Sequence, residues 1–240
     1  MKIIISPSKR QNRDCIIERD LVDPLFERQS NQLREMLENM ERTKLSRVLS
    51  IKGNLLDKTE EKYSDPKESK AAICCYNGLV FKQLDVNHYK TDSVNYMQKH
   101  LSILSAMYGI VTPLTAIKPY RLDMKSKLEG INFYEYWQES INEYFLTEDL
   151  IINLASNEFS KMLSIDDYEG TFINIDFKEY NKYNQLRVVA ARAKKARGLI
   201  LDEMIKNQIS SIDELKELTV LGYIFNEEIS TDEQLVFIKE

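Results

Sequence analysis

Two histidines, three cysteines, seven glycines and five prolines are few for 240 residues, and each scarcity excludes something. His88 and His100 stand twelve positions apart with no cysteine or second histidine at ligand spacing, so neither a zinc centre nor any other metal site is expected; only carboxylate-only sites stay open. There is no P-loop, no GxGxxG, no GxSxG and no Ser/His/Asp set, so no cofactor is expected and the usual catalytic signatures are missing. No CxxC pair occurs, and Cys15, Cys74 and Cys75 read as three structural thiols, the last two inside the apolar run "AAICCY", a candidate buried strand. No apolar run nears the roughly 20 residues that cross a bilayer, and "MKIIISPSKR" is too short in its apolar part for a secretory signal. A soluble, cytoplasmic monomer in reducing surroundings is the expectation. With no Ser/Gly linker, repeat or low-complexity tract, residues 1–240 read as one domain. Basic charge is also short: 33 cations face 38 acids, so any contact with a polyanion must be local.

What is present is a mixture of short apolar, β-branched runs and longer periodic stretches. "KIIIS", "AAICCY", "LIINLA", "TFINIDF", "LRVVAA" and "QLVFIK" read as strands. Leu25, Leu33, Met36, Leu37 and Met40 predict a helix over about 24–42, and Tyr96, Leu101, Leu104 and Met107 one over about 93–107. Ser211 and Glu214 form the capping-box pattern of a further helix. The mixture points to an α+β or α/β core.

Four stretches carry candidate chemistry. "SPSKR" brings Ser6, Pro7 and Lys9 to the end of the first strand, a common ligand position in α/β sheets, although an ordinary turn explains it too. "LSILSAMYGIVTPLTAIKPYRLDM" (101–124) starts with helical spacing, breaks at Gly109 and offers Pro113 as a second helix start; helix, turn, helix is one outcome, with N–H groups after Gly109 holding a phosphate. Tyr120 and Arg121 follow in an extended element, Arg121 facing either a phosphate or an internal acid such as Asp123. "NLASNEF" sets Asn153 and Ser156 at a strand end and Glu158 in the first turn of a helix; capping accounts for Ser156 and Glu158 better than for Asn153.

The most cationic stretch is "RVVAARAKKARGLI" (187–200), which holds no acid. Val188 and Val189 favour a strand, while Ala193, Ala196, Leu199, Ile200 and Met204 favour a helix beginning near Arg192. The cations then crowd the helix N-terminus, where the macrodipole disfavours each by about 0.3 to 1 kcal/mol. At 100° per residue Lys194 and Arg197 flank the apolar stripe and face a cleft, whereas Lys195 falls beside Asp202 and Lys206 and faces water. Internal carboxylates or an external anion would offset them equally well.

"MKIIISPSK", "YNG" (76–78), "LSAMYGIVTPLTAIKPYRLDM", "NLASNEF", "AKKARG" (193–198) and "GYIF" (222–225), in this order, resemble the YaaA family of bacterial peroxide-stress proteins over nearly the whole chain. The resemblance implies a single compact α+β domain, a mixed sheet flanked by helices, with a helix-hairpin-helix-like element and a basic cleft. It also implies a cytoplasmic protein that helps bacteria withstand hydrogen peroxide, linked to less free iron and less DNA damage, and that binds duplex or branched DNA. The family's recurrent polar positions fall on Ser6, Lys9, Asn77, Tyr120, Arg121, Asn153, Ser156, Glu158, Lys194, Lys195, Arg197 and Tyr223. The chain departs from the pattern at Ala106 and Thr112, where Gly and Arg are usual, and at Thr115, where Asp is usual.

DNA binding through phosphate is therefore the first expectation, with Lys9, Arg121, Lys194, Lys195, Arg197, Tyr120, Gly109, Ser6 and Asn77 as candidate contacts. The alternative is an enzyme acting on a nucleotide or damaged nucleic acid, with Glu158, Lys194, Asn153 and Ser156 as candidate catalytic groups. Direct iron sequestration is the weakest, since no His or Cys cluster exists to hold the metal.

Overall fold

The computed structural model describes residues 1–64, 68–165 and 168–239. From the N-terminus the chain forms β1 (Lys2–Ile5), α1 (Glu27–Glu38), α2 (Arg42–Leu49), α3 (Asn54–Ser64), β2 (Lys70–Ala71), α4 (Ala72–Cys75), α5 (Thr91–His100), β3 (Leu101–Ser105) and β4 (Gly109–Val111). Then come β5 (Ala116–Ile117), α6 (Phe133–Phe145), β6 (Leu150–Asn153), α7 (Asn157–Ser160), β7 (Thr171–Tyr180) and β8 (Leu186–Arg187). The chain closes with α8 (Ala190–Asn207), α9 (Ile212–Lys216), β9 (Ile224–Phe225) and β10 (Gln234–Lys239).

The main sheet runs β4-β3-β1-β6-β7-β10-β9, with β8 beside β7. β1 pairs in parallel with β3 and β6, β6 with β7, and β7 with β10; the outer strands β4, β8 and β9 are antiparallel. Parallel strands joined by crossovers are covered on both faces, which is why Ile3, Ile4 and Ile5 are all buried although successive side chains point to opposite sides. From β1 the winding goes to β3 and β4, and from β6 to β7, in opposite directions. The switch between β1 and β6 opens a crevice at their carboxyl ends, the usual ligand position of such sheets. One contiguous core holds the whole as a single α+β domain, a mixed sheet flanked by helices. Among the described residues no helix is long and apolar enough to cross a membrane.

Strands at 2–5, 150–153, 171–180 and 234–239 match the expected runs, as does the capping box, in which Ser211 and the Glu214 side chain exchange hydrogen bonds with each other's backbone. Four expectations are corrected. Residues 101–124 form no helix-turn-helix: Leu101–Ser105 is a fully buried strand, folded back onto Gly109–Val111, and the segment beyond Pro113 is a turn that leads into β5. The spacing of Leu101, Ile103 and Leu104 fits a strand buried on both faces as well as a helix, and pairing with β1 decides between them. "AAICCY" is not a strand but the short helix α4, capped by Tyr76. In "LRVVAA" only Leu186 and Arg187 pair as a strand, and the helix starts two residues earlier than Arg192. Finally, the cysteines are not three free thiols. Cys15 and Cys74 form a disulfide across 59 positions, and only Cys75 is free, buried, its thiol pushed up to about 11 by burial.

Gly109 lies in this buried hairpin with a left-handed φ of 67°. A Cβ there would come within 2.7 Å of the Trp137 ring and 2.8 Å of the Phe26 ring. The close approach that glycine permits is thus to aromatic core, not to a phosphate. Trp137 completes the turn by donating its indole N–H to the Ala106 carbonyl at 2.9 Å.

Candidate functional site

At the carboxyl ends of β1 and β6 the chain leaves the sheet through Ser6 and through Leu154–Ser156. The Ser156 N–H donates to Ser6 Oγ at 2.8 Å, and the two hydroxyl oxygens lie 3.1 Å apart. Asn153 builds this loop from beneath: its amide donates to Asn174 Oδ1 at 2.8 Å and accepts the Ala155 N–H at 2.8 Å. That accounts for the one polar residue capping left unexplained, and it spends both ends of the side chain on the scaffold. Ser156 is the N-cap of the one-turn α7, but its hydroxyl is used on Ser6 rather than on the helix.

Above this floor opens a cleft of about 820 Å³, lined among others by Ser6, Lys9, Arg121, Ser156, Glu158, Lys194 and Arg197. Seven residues expected from separate parts of the sequence therefore meet in one place. A second hollow of about 620 Å³ adjoins it across Lys9, Gln11 and Arg121 and adds Arg10, Lys58 and Lys62. Together the two hollows carry seven cations, with Glu61, Asp123, Glu158 and Asp176 as the acids.

The cations differ in how they are answered. Lys9 Nζ reaches Asp123 Oδ2 at 2.8 Å, so the acid expected for Arg121 is taken by Lys9. Arg192, in the first turn of α8, pairs with the buried Glu179, which also accepts the Tyr223 hydroxyl. This pair meets the dipole cost at that helix end. Among the described residues Arg121, Lys194 and Arg197 have no carboxylate within ion-pair distance. The Nε atoms of Arg121 and Arg197 are buried with no hydrogen-bond partner. Burial pushes the Arg197 guanidinium below its ordinary value, opposed by the Asp176 carboxylate. A buried donor left open costs about 1 to 3 kcal/mol or more when charged, so two in one cleft make it the candidate place for an external acceptor.

The scaffold fixes both arginines. Tyr63 clamps Arg121 by accepting its backbone N–H at 3.1 Å and donating to its carbonyl at 2.8 Å. Arg197 precedes Gly198, where a Cβ would stand 2.4 Å from the Val80 carbonyl; the glycine lets α8 press against the turn at 78–84. Further along α8 the buried Asp202 is answered on both oxygens: Tyr89 Oη donates at 2.6 Å, the Asp85 N–H at 2.8 Å and Lys206 Nζ at 2.8 Å.

The other expected residues offer this cleft no functional group. Tyr120 is 2% exposed, its hydroxyl bonded to Tyr76 and Ser105 at 2.9 and 2.8 Å and pushed above its ordinary value by burial, so it walls the cleft without offering a hydroxyl. Asn77 faces the smaller hollow and bonds Asn12 at 3.0 Å. Lys195 is exposed and outside both hollows, and Tyr223 is buried against Glu179. Thr112 and Thr115, the departures from the family pattern, bond each other at 2.9 Å, and Thr112 also accepts from Gln98; neither lines the cleft. Sequence reading passed over Asp176, whose side chain faces the cleft between the inward Ile175 and Phe177; a lone acid in a buried strand run was its signal. It also passed over Leu79 and Val188, which line the cleft as exposed apolar residues. Among the described residues no three His, Cys, Asp or Glu side chains converge as a metal-ligand set.

A family model described as "Peroxide stress protein YaaA" matches residues 1–229. UPF0246 proteins of Rickettsia felis and Rickettsia bellii are 36% and 37% identical over 249 residues, and one of Rickettsia peacockii 35% identical over 248, each covering all of both chains. The chain belongs to the peroxide stress protein YaaA family.

Proposed function

We propose that this member of the peroxide-stress family acts in the oxidative stress response by binding DNA, duplex or branched, through the phosphate backbone with little sequence preference. The observation that carries the reading is the pair of orphaned guanidinium groups, Arg121 and Arg197, in a cleft whose remaining cations continue along an adjoining hollow. A guanidinium fork suits a phosphate, and a row of cations suits a backbone. In this reading the protein is a cytoplasmic monomer, and its hold on DNA limits the damage that free iron causes under hydrogen peroxide. Fluorescence anisotropy with a labelled 20-mer duplex at rising salt tests it. Affinity falls steeply with salt, and Arg121→Ala with Arg197→Ala lowers the slope by about 2, one unit per lost phosphate contact. Binding insensitive to salt, or unchanged in the double variant, overturns it.

A second reading, an enzyme acting on a nucleotide or damaged nucleic acid, is favoured by one observation: Glu158 and Lys194 share the cleft with the Ser6–Ser156 hydroxyl pair. Glu158→Gln separates the two readings, since it removes turnover but leaves phosphate affinity in place.

A further inference from the structure

The lining of the cleft is of two chemical kinds. One is the cationic side already described. The other is apolar and partly open: Leu79 is 45% exposed and Val188 51% exposed, and the buried Phe81, Leu154 and Phe159 line the same cleft. A phosphodiester backbone has no use for such a lining, and exposed large aliphatic side chains beside a charged cleft lose more to water than a plain electrostatic groove would.

Leu79 is also held in place. Leu79 rides on the turn at 78–84, in which the Lys82 N–H donates to the Gly78 carbonyl at 3.0 Å and the Gln83 N–H to the Val80 carbonyl at 3.1 Å. A Cβ at Gly78 would stand 2.7 Å from Ser8 Oγ, and one at Gly198 2.4 Å from the Val80 carbonyl, so the turn is pinned between the Ser8 loop and α8. Two glycines in a chain with seven are thus spent on seating the turn that carries Leu79 against the Ser8 loop and α8.

An object with an anion at one end and a flat apolar face at the other fits this chamber. Its volume of about 820 Å³ suits a drug- or nucleotide-sized ligand and not a run of stacked base pairs. We infer that the chamber takes one unpaired nucleotide, its phosphate on Arg121 and Arg197 and its base against Leu79 and Val188. The inference rests on the phosphate-binding reading and sharpens it: backbone flanking the nucleotide follows the smaller hollow, and the chamber holds what has left the stack. The nucleotide comes either from a strand or free in solution, and the same contacts serve both.

The experiment uses the full chain and three probes: an intact duplex, the same duplex carrying one bulged 2-aminopurine, and adenosine 5′-monophosphate. The bulged duplex binds about tenfold more tightly than the intact one, as expected for one base gaining a packed face, and its 2-aminopurine emission changes on binding. Leu79→Ser with Val188→Ser, both at exposed positions, abolishes that preference while affinity for the intact duplex stays within about twofold. If the monophosphate binds through the same two residues but the bulge gives no preference, the source is free nucleotide and the inference stands. If the intact duplex does not bind at all while the monophosphate does, the backbone reading fails and the inference stands. Equal affinity for bulged and intact duplex, unchanged emission and no monophosphate binding overturn it, even where salt-dependent duplex binding remains.

Discussion

The two halves of α8 hold charged groups in opposite states. In the C-terminal half Asp202 has three donors within 2.8 Å, with both carboxylate oxygens engaged. In the N-terminal half Arg197 keeps a buried Nε–H with nothing to receive it, and Lys194 stands nearby without a carboxylate partner. One helix, one sequence of side-chain volumes and one core thus support both a closed polar network and an open one. The difference separates charge answered within the chain from charge kept short of partners there, which is what the proposed phosphate contact would draw on.

The largest effect is expected where the network is closed. Asp202→Ala leaves the Tyr89 hydroxyl, the Asp85 N–H and Lys206 without their acceptor, and costs about 3 kcal/mol in denaturant unfolding. Arg197→Ala removes a group whose burial is not repaid, so unfolding stability changes by less than about 1 kcal/mol while DNA affinity falls about tenfold. A loss of stability matching that of Asp202→Ala would erase the distinction between the halves. Gly198→Ala probes the seam between them: the added methyl meets the Val80 carbonyl, α8 moves off the 78–84 turn, and stability drops by about 1 to 2 kcal/mol despite the better helix propensity of alanine. Lys195→Ala, exposed and outside the cleft, sets the floor of the scale: melting temperature is unchanged, and affinity shifts by less than about twofold from the loss of one distant charge.

Legibility in the sequence followed the same division. The strands at 2–5, 150–153 and 171–180 announced themselves because β-branched runs bounded by polar residues have few other uses. The facing of Lys194 and Arg197 followed from helical geometry alone, since 100° per residue leaves little choice once Ala193 and Ile200 are in the core. Residues 101–105 misled because a strand buried on both faces has no period of its own, and only pairing with β1 distinguishes it from a helix. The partner of Cys15 was hidden for another reason: spacing carries no information about which distant cysteine a loop returns to. Gly109 and Gly198 show both outcomes of one inference, since each permits a close approach, and the sequence does not say to what.

The Cys15–Cys74 link gives the molecule a covalent topology that a list of helices and strands conceals. Residues 15–74, which carry α1, α2 and α3, form a closed ring, and a nick within it cuts the backbone without parting the molecule until the disulfide is reduced. Just outside the ring, Ser6 to Asp14 bridge from β1, which is hydrogen-bonded into the centre of the sheet, to Cys15, and Arg13 fastens that bridge by donating to the Ile73 and Leu84 carbonyls at 3.3 and 2.6 Å. Lys9, Arg10 and Gln11 are therefore carried on a span anchored at both ends rather than on a free flap. A span of this kind has already lost most of its freedom before any ligand arrives, so whatever docks against it loses little of its binding energy to ordering the wall.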